Sequence, residues 1–417
     1  MPTSAHRLVP MAGRDPHQPH RAATPLELLY DLTFVVAFGA AGNEAAHYVA
    51  EGHWGPGLAG FGFAMFAVCW AWIQNTWFAS AYDTDDWVYR LLTMLQMIGV
   101  LVLALGLPPM FESIERGDHV DNGVMVGGYV IMRVGLVALW LRVAHQDPPR
   151  RRCALTYATT LLAAQDGWIV LLVAQTSVEV MFAVVAILVT VELVAPAVAE
   201  HRFGGTPWHP HHIAERYGLL TIITLGEVIL GTVAALDAVL RAEGWTVETA
   251  LVGLAGVGLA FGMWWMYFVL PYGELLHRHR ERSFGWGYGH LPLFASLAAT
   301  GTGLHVAALY IGHAAHISAV AVVLTTAVPV TAYVLCIYAL YSALTREIDP
   351  FHLWLVTGTA VVVVTTIVMA AAGAPIAACL LVLALAPTVT VIGYELVGHR
   401  HSADLLTRAE DSTAATR

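Results

Sequence analysis

Apolar runs follow one another from Pro25 to about residue 397, and only short polar or Gly/Pro-containing breaks separate them. Each run has the length of roughly 20 residues needed for a helix to cross about 30 Å of hydrocarbon. Hydropathy places spans near 26–50, 56–80, 88–109, 122–145, 153–174 and 178–200. Six more follow near 211–237, 246–271, 286–312, 316–342, 352–372 and 375–397. The pattern predicts an all-α, polytopic integral membrane protein of about twelve transmembrane helices. Helix starts are written locally: Thr24-Pro25-Leu26-Glu27 is a capping box with Pro at the first helical position, and His209-Pro210 and Asp349-Pro350 place Pro in the same way.

Composition agrees with a lipid solvent. Of 417 residues, 58% are hydrophobic and 12% charged, against about 25% charged in soluble domains. The segment Met1–Ala23 is polar and lacks the apolar core of a signal peptide, so it reads as a tail. All 20 basic residues are Arg, a compositional bias that carries no function. With the N-terminus inside, sixteen of them fall on the cytoplasmic side, among them Arg7, Arg400, Arg408 and Arg417, and only Arg116 and Arg241 fall outside. That asymmetry and an even span count support each other, and both termini are expected in the cytoplasm. The cysteines Cys69, Cys153, Cys336 and Cys379 are isolated and read as small core residues. The net charge of −10 is spread without a basic stripe, so no nucleic-acid partner is expected.

The chain also reads as two six-helix halves, 25–200 and 201–398, between tails at 1–24 and 399–417. Glu27, Leu32 and Thr33 match Glu215, Leu220 and Thr221 at a constant offset of 188 residues. Six-plus-six duplications place a substrate site at the repeat interface.

An ionisable side chain at a helix centre costs at least about 2.5–3.5 kcal/mol in lipid, so each needs a partner, water or a function. The spans hold Glu27, Asp31, Arg133, Asp166, Glu192, Glu215, Arg216, Glu227 and Glu395. Seven acids face two arginines, a surplus that must be hydrated, protonated or hydrogen-bonded. Glu27 also fits a plain cap. Asp31, one turn further in, has no such role. Glu227 lies about 18 Å along its helix from Glu215, near mid-membrane, where it either pairs with Arg133 or carries a proton. Asp166 and Glu192 fit either function or polar contacts between helices.

His209-Pro210-His211-His212-Ile213-Ala214-Glu215-Arg216 is the densest polar cluster, and His211 and His212 are spaced to share a face with Glu215. It lacks the second His of HExxH, and proton handling or structure is favoured over metal. Aromatic residues crowd Trp70–Phe78 around Asn75, and again Trp264–Phe268; an interfacial belt is the ordinary reading, a surface for a cation or planar ligand the sharper one. Asp83, Asp85 and Asp86 form a solvated mouth, with Asp86 and Arg90 spaced to pair.

Three stretches together resemble the bacterial low temperature requirement protein A family. They are Pro25-Leu26-Glu27-Leu28-Leu29-Tyr30-Asp31-Leu32-Thr33-Phe34-Val35, the run Trp77–Asp86, and the run His212–Glu227, with Tyr288-Gly289-His290 as a fourth. The resemblance spans about residues 25 to 400. It implies a multi-pass protein of the bacterial inner (plasma) membrane, in a family named for growth in the cold, attaches no reaction or substrate, and adds weight to Glu27, Asp31, His212, Glu215, Arg216 and Glu227 as a site.

Asp31, Glu215 and Glu227 are thus the candidate acid–base groups, expected to border one polar cavity. Glu27, Asn75, Trp77, Asp83, His212, Arg216 and His290 are candidates to line a substrate site. A secondary transporter or ion-coupled permease fits the surplus acids and the even span count best. An intramembrane enzyme acting on a lipid or isoprenoid, or a membrane stress or assembly factor, are the alternatives. No P-loop, CxxCH or HExxH motif is present, which disfavours an ATP-driven pump and membrane metalloproteases. No cofactor or metal is expected; the expected partners are membrane lipids and an unidentified small molecule, ion or lipid.

Overall fold

The computed structural model describes residues 8–16, 18, 21–117, 119–347 and 350–398. Arg7, the cap residue Asp349 and the C-terminal tail with Arg400, Arg408 and Arg417 lie outside them. Among the described residues there is no strand, and twelve helices are long and apolar enough to cross a membrane. The first six are α1 (Pro25–Ala50), α2 (Trp54–Tyr82), α3 (Trp87–Arg116), α4 (Gly123–Gln146), α5 (Pro148–Ala174) and α6 (Val178–Arg202). The second six are α7 (Pro210–Ala242), α8 (Val247–Arg278), α9 (Arg280–Ile311), α10 (Ala319–Thr345), α11 (Pro350–Ala371) and α12 (Ile376–Val397).

The spans match the hydropathy reading except where polar residues continue a helix. After a break at Gly106, α3 restarts with Pro108 and Pro109 in its first turn and runs on to Arg116. That last stretch turns Leu107, Met110, Phe111 and Ile114 inward and leaves Glu112 and Arg116 exposed, so its hydropathy drops while its packing does not. Helix α8 breaks between Phe268 and Tyr272, at Pro271, then adds the turn Tyr272–Arg278. The Thr24 capping box forms as written: Thr24 Oγ1 accepts from the Glu27 amide at 3.2 Å, and Glu27 Oε2 from the Thr24 amide at 2.8 Å.

Helices α1, α2, α7 and α9 make the centre. Helix α1 touches α2, α3, α7 and α9, and α9 lies along both α7 and α10. Small residues allow these approaches, because lipid gives helices no hydrophobic reason to associate and close packing must do so. A Cβ on Gly301 of α9 would lie 2.4 Å from the Glu227 backbone oxygen of α7. Helices α5, α6 and α11 are the least buried and present Val- and Leu-rich faces outward.

The two aromatic runs part company. Trp70 and Trp72 are fully buried in the core, so the α2 run is no interfacial belt. Trp264, Trp265 and Phe268 on α8 are exposed, and there the belt reading fits.

Candidate functional site

Helices α1 and α7 meet along two matched faces. On α1, Glu27 and Asp31 are one turn apart, and Gly39 and Gly42 continue the same face two and three turns on. On α7, His212 and Arg216 are one turn apart and Glu227 follows three turns later. The His212 Nε2–H donates to Glu27 Oε2 at 3.2 Å. Arg216 reaches both acids: Nη1 lies 2.9 Å from Glu27 Oε1, Nε donates to Asp31 Oδ2 at 3.1 Å, and Nη2 donates to Asp31 Oδ1. The Trp72 indole of α2 adds a 2.7 Å bond to Asp31 Oδ1. Arg21, ahead of α1, is buried as well; it donates to the Ala79 carbonyl at 2.7 Å and lies 3.9 Å from Glu27 Oε1. Two carboxylates and two guanidiniums therefore close the N-terminal end of the α1–α7 seam in a dry cluster. The neighbouring Trp77 indole donates to Tyr217 Oη at 2.9 Å.

Outside the spans, Asp83 is buried beside this cluster. Desolvation, with the charge of Glu27, pushes its carboxyl up to about 6 against the pull of the Asp85 amide, Arg21 and Arg14. Burial likewise draws Arg21 down to about 10, with repulsion from Arg14 adding and Glu27 and Asp83 opposing. Asp86 does not pair with Arg90. As N-cap of α3 it accepts from the Tyr89 amide at 3.0 Å and from Arg142, while Arg90 takes Asp85 at 2.8 Å. Burial alone would raise Asp86; its bonds from Arg142, Tyr89 and Val9 outweigh that and hold it at about 2.

The remaining expectations separate. Glu215 is exposed and accepts from the Ala23 amide at 3.2 Å; neither His211 nor His212 binds it, since His212 turns to Glu27 and His211 lies 3.9 Å from Glu274. Asp31 sits in its ion pair, and Glu227 lies about 16 Å further along α7 than Arg216 by helical rise. The three candidate acid–base groups are therefore not brought together: Asp31 is taken by Arg216 of the facing helix, Glu215 lies on the exposed side of α7, and Glu227 is buried further along it. His290 is a satisfied core residue: Nδ1–H donates to the Trp286 carbonyl at 2.8 Å, and Nε2 accepts from Tyr267 Oη at 3.0 Å. Asn75 is buried with Oδ1 unbonded among the described residues. Asp166 is exposed on the outer face of α5. Among the described residues no group of three or more His, Cys, Asp or Glu is placed to hold a metal.

Arg133 pairs with Glu192, not with Glu227. Its Nη2 lies 3.3 Å from Glu192 Oε2, which also accepts from Tyr129 Oη at 2.8 Å; Trp168 donates to Glu192 Oε1 at 2.9 Å. Of the buried acids within spans, Glu27, Asp31 and Glu192 thus each meet an arginine, and Glu227 meets none among the described residues. Its Oε1 is buried without a hydrogen-bond partner and would lie 3.5 Å from a Cβ on Gly39. Gly42 follows, with Thr302 Oγ1 of α9 at 3.0 Å from its Cβ position, and one turn on His305 Nδ1 and Asn43 Oδ1 meet at 3.0 Å where the seam becomes exposed. His47 and Glu51, 3.4 Å apart, end the file at the far face. Arg21, Trp72, Asn43, Thr302 and His305 were missing from the sequence candidates. Thr302 and His305 are spaced to share a face of α9, but only the α1–α7–α9 crossing brings that face to Asn43 and Glu227.

These features define an all-α, polytopic integral membrane protein with a charge network between its first and seventh spans. The family model for the bacterial low temperature requirement A protein (LtrA) matches residues 22–387, and the chain belongs to that family. An uncharacterized protein of Rhizobium meliloti (strain 1021) is 26% identical over 291 residues, 66% of this chain and 67% of its own length. No solved structure matches the chain.

Proposed function

We propose that the protein is a proton-coupled permease of the bacterial inner membrane, with Glu227 as the proton carrier. The observation that carries this reading is the Glu227 carboxyl, which is buried at mid-span and, among the described residues, has no cation and no donor for Oε1, while the other buried acids in the spans are paired. An unpaired carboxylate at that depth demands a proton or cation as its counterpart. The polar file of Thr302, His305, Asn43 and His47 supplies one from the far face, which the arginine asymmetry assigns to the outside. The Glu27–Asp31–Arg216–Arg21 cluster closes the cytoplasmic side of the same seam. In this state access is therefore from the outer side, one of the two states that alternating transport requires.

Two halves of like orientation support the same reading. Applying the 188-residue offset to Gly39 gives Glu227, and these two positions face each other across α1 and α7. Helix α1 packs on α2 and α3 as α7 packs on α8 and α9. The carrier then lies where the two repeats meet. Lipid surrounds the apolar outer faces of α5, α6 and α11.

The test is proton flux in proteoliposomes carrying an internal pH dye. Glu227→Gln keeps the shape of the neutral acid, so the variant is expected to reconstitute at wild-type abundance and to lose flux driven by a pH step. Wild-type flux in that variant removes Glu227 from the mechanism.

A further inference from the structure

A second feature lies away from Glu227, on the outward side of α5 and α6. The inward face of α5 is fixed at two points: the Tyr157 hydroxyl donates to Glu200 of α6 at 3.0 Å, and the Trp168 indole to Glu192 of α6 at 2.9 Å. Asp166 stands two residues before Trp168, and residues so spaced point to nearly opposite sides of a helix. Its carboxyl is therefore turned outward, exposed, with no hydrogen bond or ion pair among the described residues. It is not at a helix end. Ala174, the last residue of α5, lies about 12 Å further on by helical rise, more than an aspartate side chain can span to reach the headgroups. Leu162, Val170 and Val173 are exposed around it on the same face.

Lipid suits those neighbours but not this carboxyl. Ionisable groups within spans turn to the bundle interior, line water or pair with one another. The orientation of α5 denies Asp166 the interior, and hydrocarbon denies it water, so its partner must come from outside this bundle and at the same depth. A second copy meets that condition. Copies inserted with one orientation close into a pair only about a two-fold axis along the membrane normal. The two α5 helices then run parallel and Asp166 faces Asp166 of the second copy. Facing carboxyls in a dry contact do not both ionise; they share a proton, and each gains a hydrogen bond.

The surface is self-complementary in shape as well. Towards the start of α5 an open groove of about 330 Å³ runs between α5 and α6, with Thr156 and Thr160 on one side and Val191, Val194 and Val198 on the other. The threonine hydroxyls are spent on their own helix, donating to the Arg152 carbonyl at 2.9 Å and the Thr156 carbonyl at 2.7 Å, so the groove presents methyl groups. Beside it Leu155 and Leu162 stand out from α5, both exposed. A ridge next to a groove at one depth lets each copy seat its ridge in the groove of the other, as an isologous contact requires. Helix α6, which forms the far wall, is the least buried of the twelve spans.

We propose that α5 and α6 form the interface of a homodimer within the membrane, closed by a hydrogen-bonded pair of Asp166 carboxyls and by Leu155 and Leu162 seated in the opposite groove. The pairing needs no proton flux and stands whether or not Glu227 carries protons.

Two measurements test it on the full chain. Single-molecule photobleaching in liposomes counts copies per assembly across a range of protein-to-lipid ratios, and two copies are expected at the higher ratios. Asp166→Leu, whose side chain lipid accepts, should move the midpoint of pairing to at least tenfold higher protein density. Asp166→Asn, whose amides also bond to each other, should stay near wild type. In native membranes, oxidation should cross-link Leu162→Cys and Val170→Cys proteins into dimers, while the parent chain and Val361→Cys, on the exposed face of α11, report the background. Single copies at every ratio overturn the proposal even if no variant folds. So do cross-linking no stronger from α5 than from Val361→Cys, and unchanged pairing in a folded Asp166→Leu protein.

Discussion

Individual residues in this molecule are sorted by whether they find a partner across a helix interface. Glu192 and Arg133 do, at 3.3 Å in a dry pocket. Glu192→Gln would leave Arg133 buried and uncompensated, a loss of about 3–5 kcal/mol. Its thermal unfolding midpoint in detergent should fall well below that of Glu227→Gln, where no ion pair is broken; equal midpoints would contradict the pairing. Asp83 gives a pH dependence outside the membrane. Its carboxyl titrates at about 6 in the fold against an ordinary 3.8. The folded state holds this proton more tightly, so the contribution is fully present below the ordinary value and is lost as pH rises through about 6. The span of that shift corresponds to roughly 3 kcal/mol at most. Asp83→Asn should therefore be the more stable protein at pH 7.5 and show a flatter difference between pH 4.5 and 7.5; identical profiles would remove the effect. The sequence named Asp83, Glu192 and Arg133 as unusual, yet it could not assign their partners, because a partner on another helix leaves no spacing to read.

At the scale of elements, close approach between helices sets what the seam can hold. Gly301 lets α9 lie against the backbone of α7 at Glu227, where a Cβ would come within 2.4 Å of a carbonyl oxygen. Gly301→Ala must push the two helices apart, and overpacking of this kind costs about 1–3 kcal/mol. A Cβ on Gly39 meets Glu227 Oε1 at 3.5 Å, an ordinary contact, so Gly39→Ala should keep wild-type stability. Thermal unfolding of the two alanine variants checks the contrast, which fails if Gly39→Ala is the less stable. Hydropathy located both helices to within a few residues because lipid imposes a length on each span. It missed the extension of α3 to Arg116 and the broken end of α8, where packing on one face outweighs the average polarity of the segment.

For the whole molecule, the arginine asymmetry has a direct consequence. Reporter fusions ending after Asp147 and after His279 should read cytoplasmic, and one ending after Gly117 should read external; an external signal at His279 would break the orientation. The amino-acid sequence by itself determined the solvent, the number of spans, the helix caps and the family resemblance. These follow from local terms: apolar length, backbone satisfaction within each helix, and residues a turn apart. Only the tertiary structure decided which ionisable groups are neutralised. It joined Arg216 to Asp31 and Glu27, gave Arg133 to Glu192, brought in Arg21, sent Glu215 to the surface and left Glu227 without an arginine among the described residues. Burial and charge pairing are properties of facing helices far apart in the chain, and those distances exist only once the bundle has closed.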